Sequence, residues 1–131
     1  MRQCNNEAMF SLSRLIKSFH YAGRGLLRVF CEEQSFRVQL VAGFVVLILA
    51  LIFKIKVWEA VALLLVIMIV LVLELINSVF ERVVDVLKPR MHPYVETVKD
   101  IMAAVVLLSS LGAILIGILI LGPYFVAVFK G

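Results

Sequence analysis

From Leu12 onward, apolar residues recur at Leu12, Leu15, Ile16, Phe19, Gly23, Leu26, Leu27 and Phe30, the i, i+3, i+4, i+7 spacing of one helical face. Arg14, Lys17, Tyr21, Arg24 and Arg28 run along another face. Cations on one side with Phe and Leu on the other predict an amphipathic surface helix over about residues 8–32, lying in a membrane interface instead of crossing it. Beyond it the polar face disappears. A first span is expected over about residues 38–55, with an unbroken apolar core from Leu40 to Phe53 and an end marked by Lys54, Lys56 and Trp58. Lysines snorkel and tryptophan favours the interface, so this tight turn belongs at the far headgroup layer. A second helix, residues 57–87, is apolar through Leu73 and keeps its period past bilayer length until Lys88-Pro89 ends it, so it is expected to protrude. After a short loop, Arg90-Met91-His92-Pro93, a third span is expected over about residues 95–121, stopping before Gly122-Pro123. Gly112 and Gly117 suit close helix packing. The fold class expected is an all-α membrane protein, a surface helix followed by three transmembrane helices.

Composition strengthens this reading. Of 131 residues 63% are hydrophobic and only 17% charged, with a mean hydropathy of +1.09, whereas soluble domains are about 45–50% apolar. No internal repeat or long linker is evident, so a single membrane-embedded domain over 1–131 is expected. A domain this small must build any chemistry from a few helices, and oligomerisation is expected. The net charge of +4 sits beside apolar runs, which suits anionic headgroups and argues against a nucleic-acid partner. Cys4 and Cys31 lack metal-ligand spacing and disulfide density, and read as free thiols. Arg14, Lys17, Arg24 and Arg28 interrupt the first thirty residues, so no cleavable signal is expected. Ten of the 13 Lys and Arg fall in the N-terminal segment and the second connection, against Lys54, Lys56 and Lys130 opposite. The positive-inside rule then places the N-terminus in the cytoplasm and the C-terminus outside.

Against this apolar background, Glu74, Asn77, Ser78, Glu81 and Asp85 lie 3, 4, 7 and 11 positions on from the first, a polar seam on one helical face. At 1.5 Å per residue, Glu74 lies about 25 Å and Glu81 about 36 Å from Val57, and the hydrocarbon core is about 30 Å thick, so the seam crosses the inner interface. A lipid hydroxyl sits at that level and ATP arrives from the cytoplasm. A carboxylate at the hydrocarbon edge suits a general base, and others suit Mg²⁺, a hard cation held by one or two carboxylates plus phosphate oxygens. The bland alternative is polar helix packing, which Asp85 fits as well as catalysis; for Glu74 the cost of an ionisable group at depth argues for function. Lys99, beside Glu96 and Asp100, suits either phosphate contact or positive-inside anchoring. His92 reads as a solvated turn residue, the basic stripe as lipid attraction, and Glu33, taken alone, as a cap or helix-end charge.

The run Glu74-Leu-Ile-Asn77-Ser78-Val-Phe-Glu81-Arg-Val-Val-Asp85, then His92, Lys99-Asp100 and Ala103-Ala104, resembles the signature of the bacterial membrane diacylglycerol kinase and undecaprenol kinase family. Arg14-Leu-Ile-Lys17, Tyr21, Gly25-Leu26 and Glu33-Gln-Ser-Phe36-Arg37 stand in family-like positions, so the resemblance covers about Arg14 to Leu121. It implies a homotrimer in the bacterial plasma membrane with active sites shared between neighbours, using ATP and Mg²⁺ on a membrane lipid alcohol. By matching position, Glu74 resembles the general base, Glu33 and Glu81 the metal ligands, and Arg14, Tyr21, Glu33, Glu81, His92, Lys99 and Asp100 the ATP contacts. Asn77 and Asp85 resemble active-site support, and Arg14 with Glu74 the residues at the lipid. The connection Lys88-Pro89-Arg90-Met91-His92-Pro93 departs from the more acidic, glycine-containing loop of Gram-negative diacylglycerol kinases and is similar to the undecaprenol kinase branch. The leading expectation is phosphorylation of diacylglycerol to phosphatidic acid; the alternative acceptor is undecaprenol. A different class, an oligomeric ion or proton pathway lined by Glu74 and Glu81, would not need Lys99-Asp100 at the same level.

Overall fold

The computed structural model describes residues 12–87 and 92–130, which form α1 (Leu12–Glu32), α2 (Gln34–Ile52), α3 (Val57–Leu87) and α4 (His92–Lys130). They divide into two compact units, up to Glu32 and from Glu33. In the first, α1 is exposed along nearly its whole length, with only Val29 buried, and carries an Arg28–Glu32 ion pair one turn apart.

The second unit holds three helices long and apolar enough to cross a membrane: Gln34–Ile52, Val57–Leu87 and Pro93–Lys130. Among the described residues the structure is thus helical throughout apart from short turns, with three membrane-compatible helices. Helix α3 is the central element, packed against both α2 and α4. Its approach to α2 depends on Gly43, where an added Cβ would come 2.8 Å from Cγ2 of Ile67.

Helix α2 starts earlier than the expected span of residues 38–55. Extended backbone at Glu33 (φ −102°, ψ 113°) begins the helix at Gln34, so Gln34, Ser35, Arg37 and Gln39 are helical. At its other end the helix closes in a Schellman motif. Lys54 takes the left-handed conformation (φ 49°), its N–H donates to Leu51 O at 3.2 Å, and the Ile55 N–H donates to Ala50 O at 3.3 Å. Helix α3 then starts with Glu59 accepting the Lys56 N–H at 3.1 Å, one half of a capping box.

Two expectations for the third span are corrected. Helix α4 opens at His92 instead of after a loop containing it, because Pro93 is tolerated where a helix has no N–H bond to lose. It also runs through Gly122-Pro123 to Lys130. Pro123 removes one backbone bond, but the next residues are fastened elsewhere. The Tyr124 hydroxyl donates to Glu59 Oε2 at 2.6 Å, and Phe125 packs edge-on against Phe53 with ring centres 4.7 Å apart. Ala50, Leu63 and Leu121 form a small core beside this fastening. Lys88 to Met91 lie outside the described residues.

Candidate active site

The far end of the bundle from the Lys54 turn carries the polar seam of α3. Glu74 is 2% exposed and Ser78 1%, whereas Glu81 is half-buried and Asp85 exposed, so the seam runs from interior to surface. A carboxylate buried so deeply needs donors, since an unsatisfied charge at depth costs several kcal/mol. Helix α2 supplies them. The Ser35 hydroxyl donates to Glu74 Oε1, and the Gln39 amide donates to Oε2 at 3.3 Å. Ser35 and Gln39 are one turn apart, so a single face of α2 satisfies both oxygens.

The rest of the seam is also tied down. Asn77 Nδ2 donates to Glu81 Oε1 at 3.1 Å, and Lys99 of α4 lies 2.6 Å from Asp85 Oδ1. Glu33 occupies the N-cap of α2 but makes no capping bond; Oε1 lies 4.0 Å from an Arg82 nitrogen of α3. Glu33 is thus a helix-end charge, one of the two expected readings, without the side-chain bond of a cap. Two buried polar atoms have no hydrogen-bond partner among the described residues: Ser78 Oγ and Gln39 Oε1.

Between α2 and α4, with α3 as its floor, runs a groove of about 1060 Å³. Its walls are mostly aliphatic, Val46, Leu63, Ile67 and Ile118 among them, and the small Gly117 and Ala113 of α4 leave it room. Glu33, Gln34, Ser35 and Gln39 make its polar end. An apolar channel whose polar end carries two residues hydrogen-bonded to a buried carboxylate can seat a lipid with its headgroup near a proton acceptor.

The structure therefore brings Glu33, Glu74, Asn77, Glu81, Asp85 and Lys99 onto one end of the second unit. Asp100 is exposed on α4. Arg14 and Tyr21 belong to the first unit, where both are exposed. The side chain of His92 lies outside the described residues. For Mg²⁺, the donor set is chemically apt: Glu33 and Glu81 offer hard oxygens. Among the described residues no group of three or more Asp, Glu, His or Cys lies together.

Three further residues take part in the site: Ser35, Gln39 and Arg82. Ser35 and Gln39 were legible as polar residues at i, i+4 in the first turns of a helix that is apolar beyond them. Arg82 was legible as a cation next to Glu81 in the seam.

A family profile described as prokaryotic diacylglycerol kinase matches residues 20–121. The chain is 32% identical over 112 residues to the undecaprenol kinase of Bacillus subtilis (strain 168), covering 86% of this chain and 91% of that protein. To the diacylglycerol kinase of Escherichia coli (strain K12) it is 29% identical over 121 residues, 92% of this chain and 98% of the relative. A diacylglycerol kinase of Synechocystis sp. is 31% identical over 110 residues, 83% of this chain and 63% of the longer relative.

Proposed function

Since this chain belongs to the prokaryotic diacylglycerol kinase family, we propose that it transfers the γ-phosphoryl group of ATP to the hydroxyl of a membrane lipid. Diacylglycerol, giving phosphatidic acid, is the favoured acceptor, and undecaprenol, giving undecaprenyl phosphate, is the alternative. The observation that carries this reading is Glu74, buried and hydrogen-bonded to Ser35 and Gln39 of the groove's polar end, and so already accepting a hydrogen bond from an alcohol. Such a carboxylate is placed to take the lipid hydroxyl's proton as its oxygen attacks phosphorus. Asn77 steadies Glu81 one turn further on.

Glu33 and Glu81 would hold Mg²⁺ together with phosphate oxygens of ATP; when bound, the ion neutralises charge on the transferring group. Arg14, Tyr21, His92, Lys99 and Asp100 would contact the nucleotide. Lys99 does so from a position set by Asp85, which assigns Asp85 a supporting part. Phosphoryl transfer of this kind is chiefly positioning and charge neutralisation. The whole chain acts as one membrane-embedded domain of the bacterial plasma membrane. The basic amphipathic α1 lies on the cytoplasmic surface, the N-terminus is cytoplasmic and the C-terminus outside, and three copies share their active sites.

Purified protein incubated with labelled ATP and diacylglycerol, undecaprenol or ceramide tests the proposal. Label should enter diacylglycerol or undecaprenol, and the preferred acceptor decides between the two readings. If no lipid is labelled while proteoliposomes show an ion flux that disappears in Glu74→Gln, an ion pathway replaces the kinase.

A further inference from the structure

Glu74 is the residue an acceptor must reach, yet it is not among the described residues that line the groove. Ser35 and Gln39 are, and both hydrogen-bond to it. They therefore stand between the groove and the carboxylate. The chemistry of the two contacts differs. Ser35 offers Glu74 an O–H, the same group a lipid alcohol offers, so it occupies Oε1 in the manner of the substrate. Gln39 presents its nitrogen to Oε2 and leaves its own carbonyl oxygen, Oε1, buried and without a partner. That oxygen belongs to the residue one turn from Ser35 on the same face of α2, where side chains four apart are neighbours. The site thus holds two donors on the carboxylate, one of them a hydroxyl, and one idle acceptor beside them.

We infer that Ser35 and Gln39 form a displaceable cover over Glu74, the Ser35 hydroxyl holding the position that the acceptor lipid's hydroxyl takes during turnover. This rests on the reading of Glu74 as base. On lipid entry the Ser35 hydroxyl rotates to Gln39 Oε1, so neither the serine proton nor the amide oxygen is left unsatisfied, and Glu74 Oε1 passes to the lipid. Without lipid, the cover denies that position to water. When the cover is absent, a water held by Glu74 can attack: its oxygen bonds to the γ-phosphorus, the bond from that phosphorus to the bridging oxygen breaks, the water proton passes to Glu74, and ADP leaves. Ser35 is thus a positioning residue that favours transfer to lipid over hydrolysis.

The test uses the full chain in phosphatidylcholine vesicles, with dioleoylglycerol or undecaprenol as acceptor. Ser35→Ala should lower the acceptor KM by about 3- to 10-fold with kcat nearly unchanged, since binding no longer displaces a hydrogen bond to a charged group. It should also raise ATP hydrolysis in acceptor-free vesicles by a similar factor. Ser35→Thr, which keeps the hydroxyl, should restore native values, and Ser35→Ala combined with Glu74→Gln should abolish the extra hydrolysis. An acceptor KM that stays constant or rises in Ser35→Ala overturns the cover. Phosphate found on Ser35 by mass spectrometry after incubation with ATP also overturns it, making the serine a nucleophile. If Glu74→Gln alone is inactive while Ser35→Ala matches the native protein, only the cover falls; if Glu74→Gln remains active, the base assignment falls as well.

Discussion

Burial sets the chemistry available to each acid of the seam. Glu74, 2% exposed, has protein donors on both carboxylate oxygens, whereas Asp85 stands in the open and spends its charge on Lys99. A general base contributes about 10²- to 10⁴-fold to rate. Glu74→Gln, nearly isosteric, is accordingly expected to lower kcat by at least about 100-fold while leaving nucleotide affinity within about 3-fold, as equilibrium binding would register. In the proposed reading Glu33 and Glu81 serve a different step, holding Mg²⁺. Glu33→Gln or Glu81→Gln should raise the Mg²⁺ concentration for half-maximal rate about tenfold, the loss of one charge-assisted contact of about 1.5 kcal/mol. Titration of Mg²⁺ after chelation measures this, and an unchanged requirement would remove that residue from the metal site.

At the scale of elements, the site depends on how closely α2 approaches α3, because Ser35 and Gln39 reach Glu74 only across that contact. Gly43 sets the approach. Its missing Cβ is replaced by a methyl of Ile67, a β-branched residue with little rotamer freedom. Gly43→Ala should therefore destabilise the protein by about 1–3 kcal/mol, the usual cost of overpacking, seen as a lower unfolding temperature in detergent. Gly117→Ala is the control. No atom lies within 4 Å of the added Cβ, so it should be neutral or stabilising by about 0.5–1 kcal/mol through reduced chain entropy. Sequence spacing pointed to Gly112 and Gly117 as close-packing positions, but the tight contact within this chain is at Gly43. A glycine's partner across a helix pair depends on register, which periodicity along one helix does not report.

For the molecule as a whole, Arg14 and Tyr21 lie in one unit and the acidic seam in the other. If nucleotide contacts come from a neighbouring copy, two inactive variants should repair each other. Mixing Arg14→Ala with Glu74→Gln subunits in equal amounts is expected to restore about a quarter of native activity through sites assembled from one intact half of each. Failure to recover activity in exchanged, mixed oligomers would place the whole site within one subunit. The sequence by itself determined the helical class, the three membrane-compatible helices and the acidic seam. Apolar run length against bilayer thickness and the 3.6-residue period are local properties, so they are written along the chain. The tertiary structure alone decided that α4 continues past Pro123, because the fastening of Tyr124 to Glu59 and Phe125 to Phe53 joins residues distant in sequence. It also decided that Glu33 faces Arg82, and that Ser35 and Gln39 close over Glu74. Which carboxylate is covered and which is open depends on a neighbouring helix, and no period along α3 carries that information.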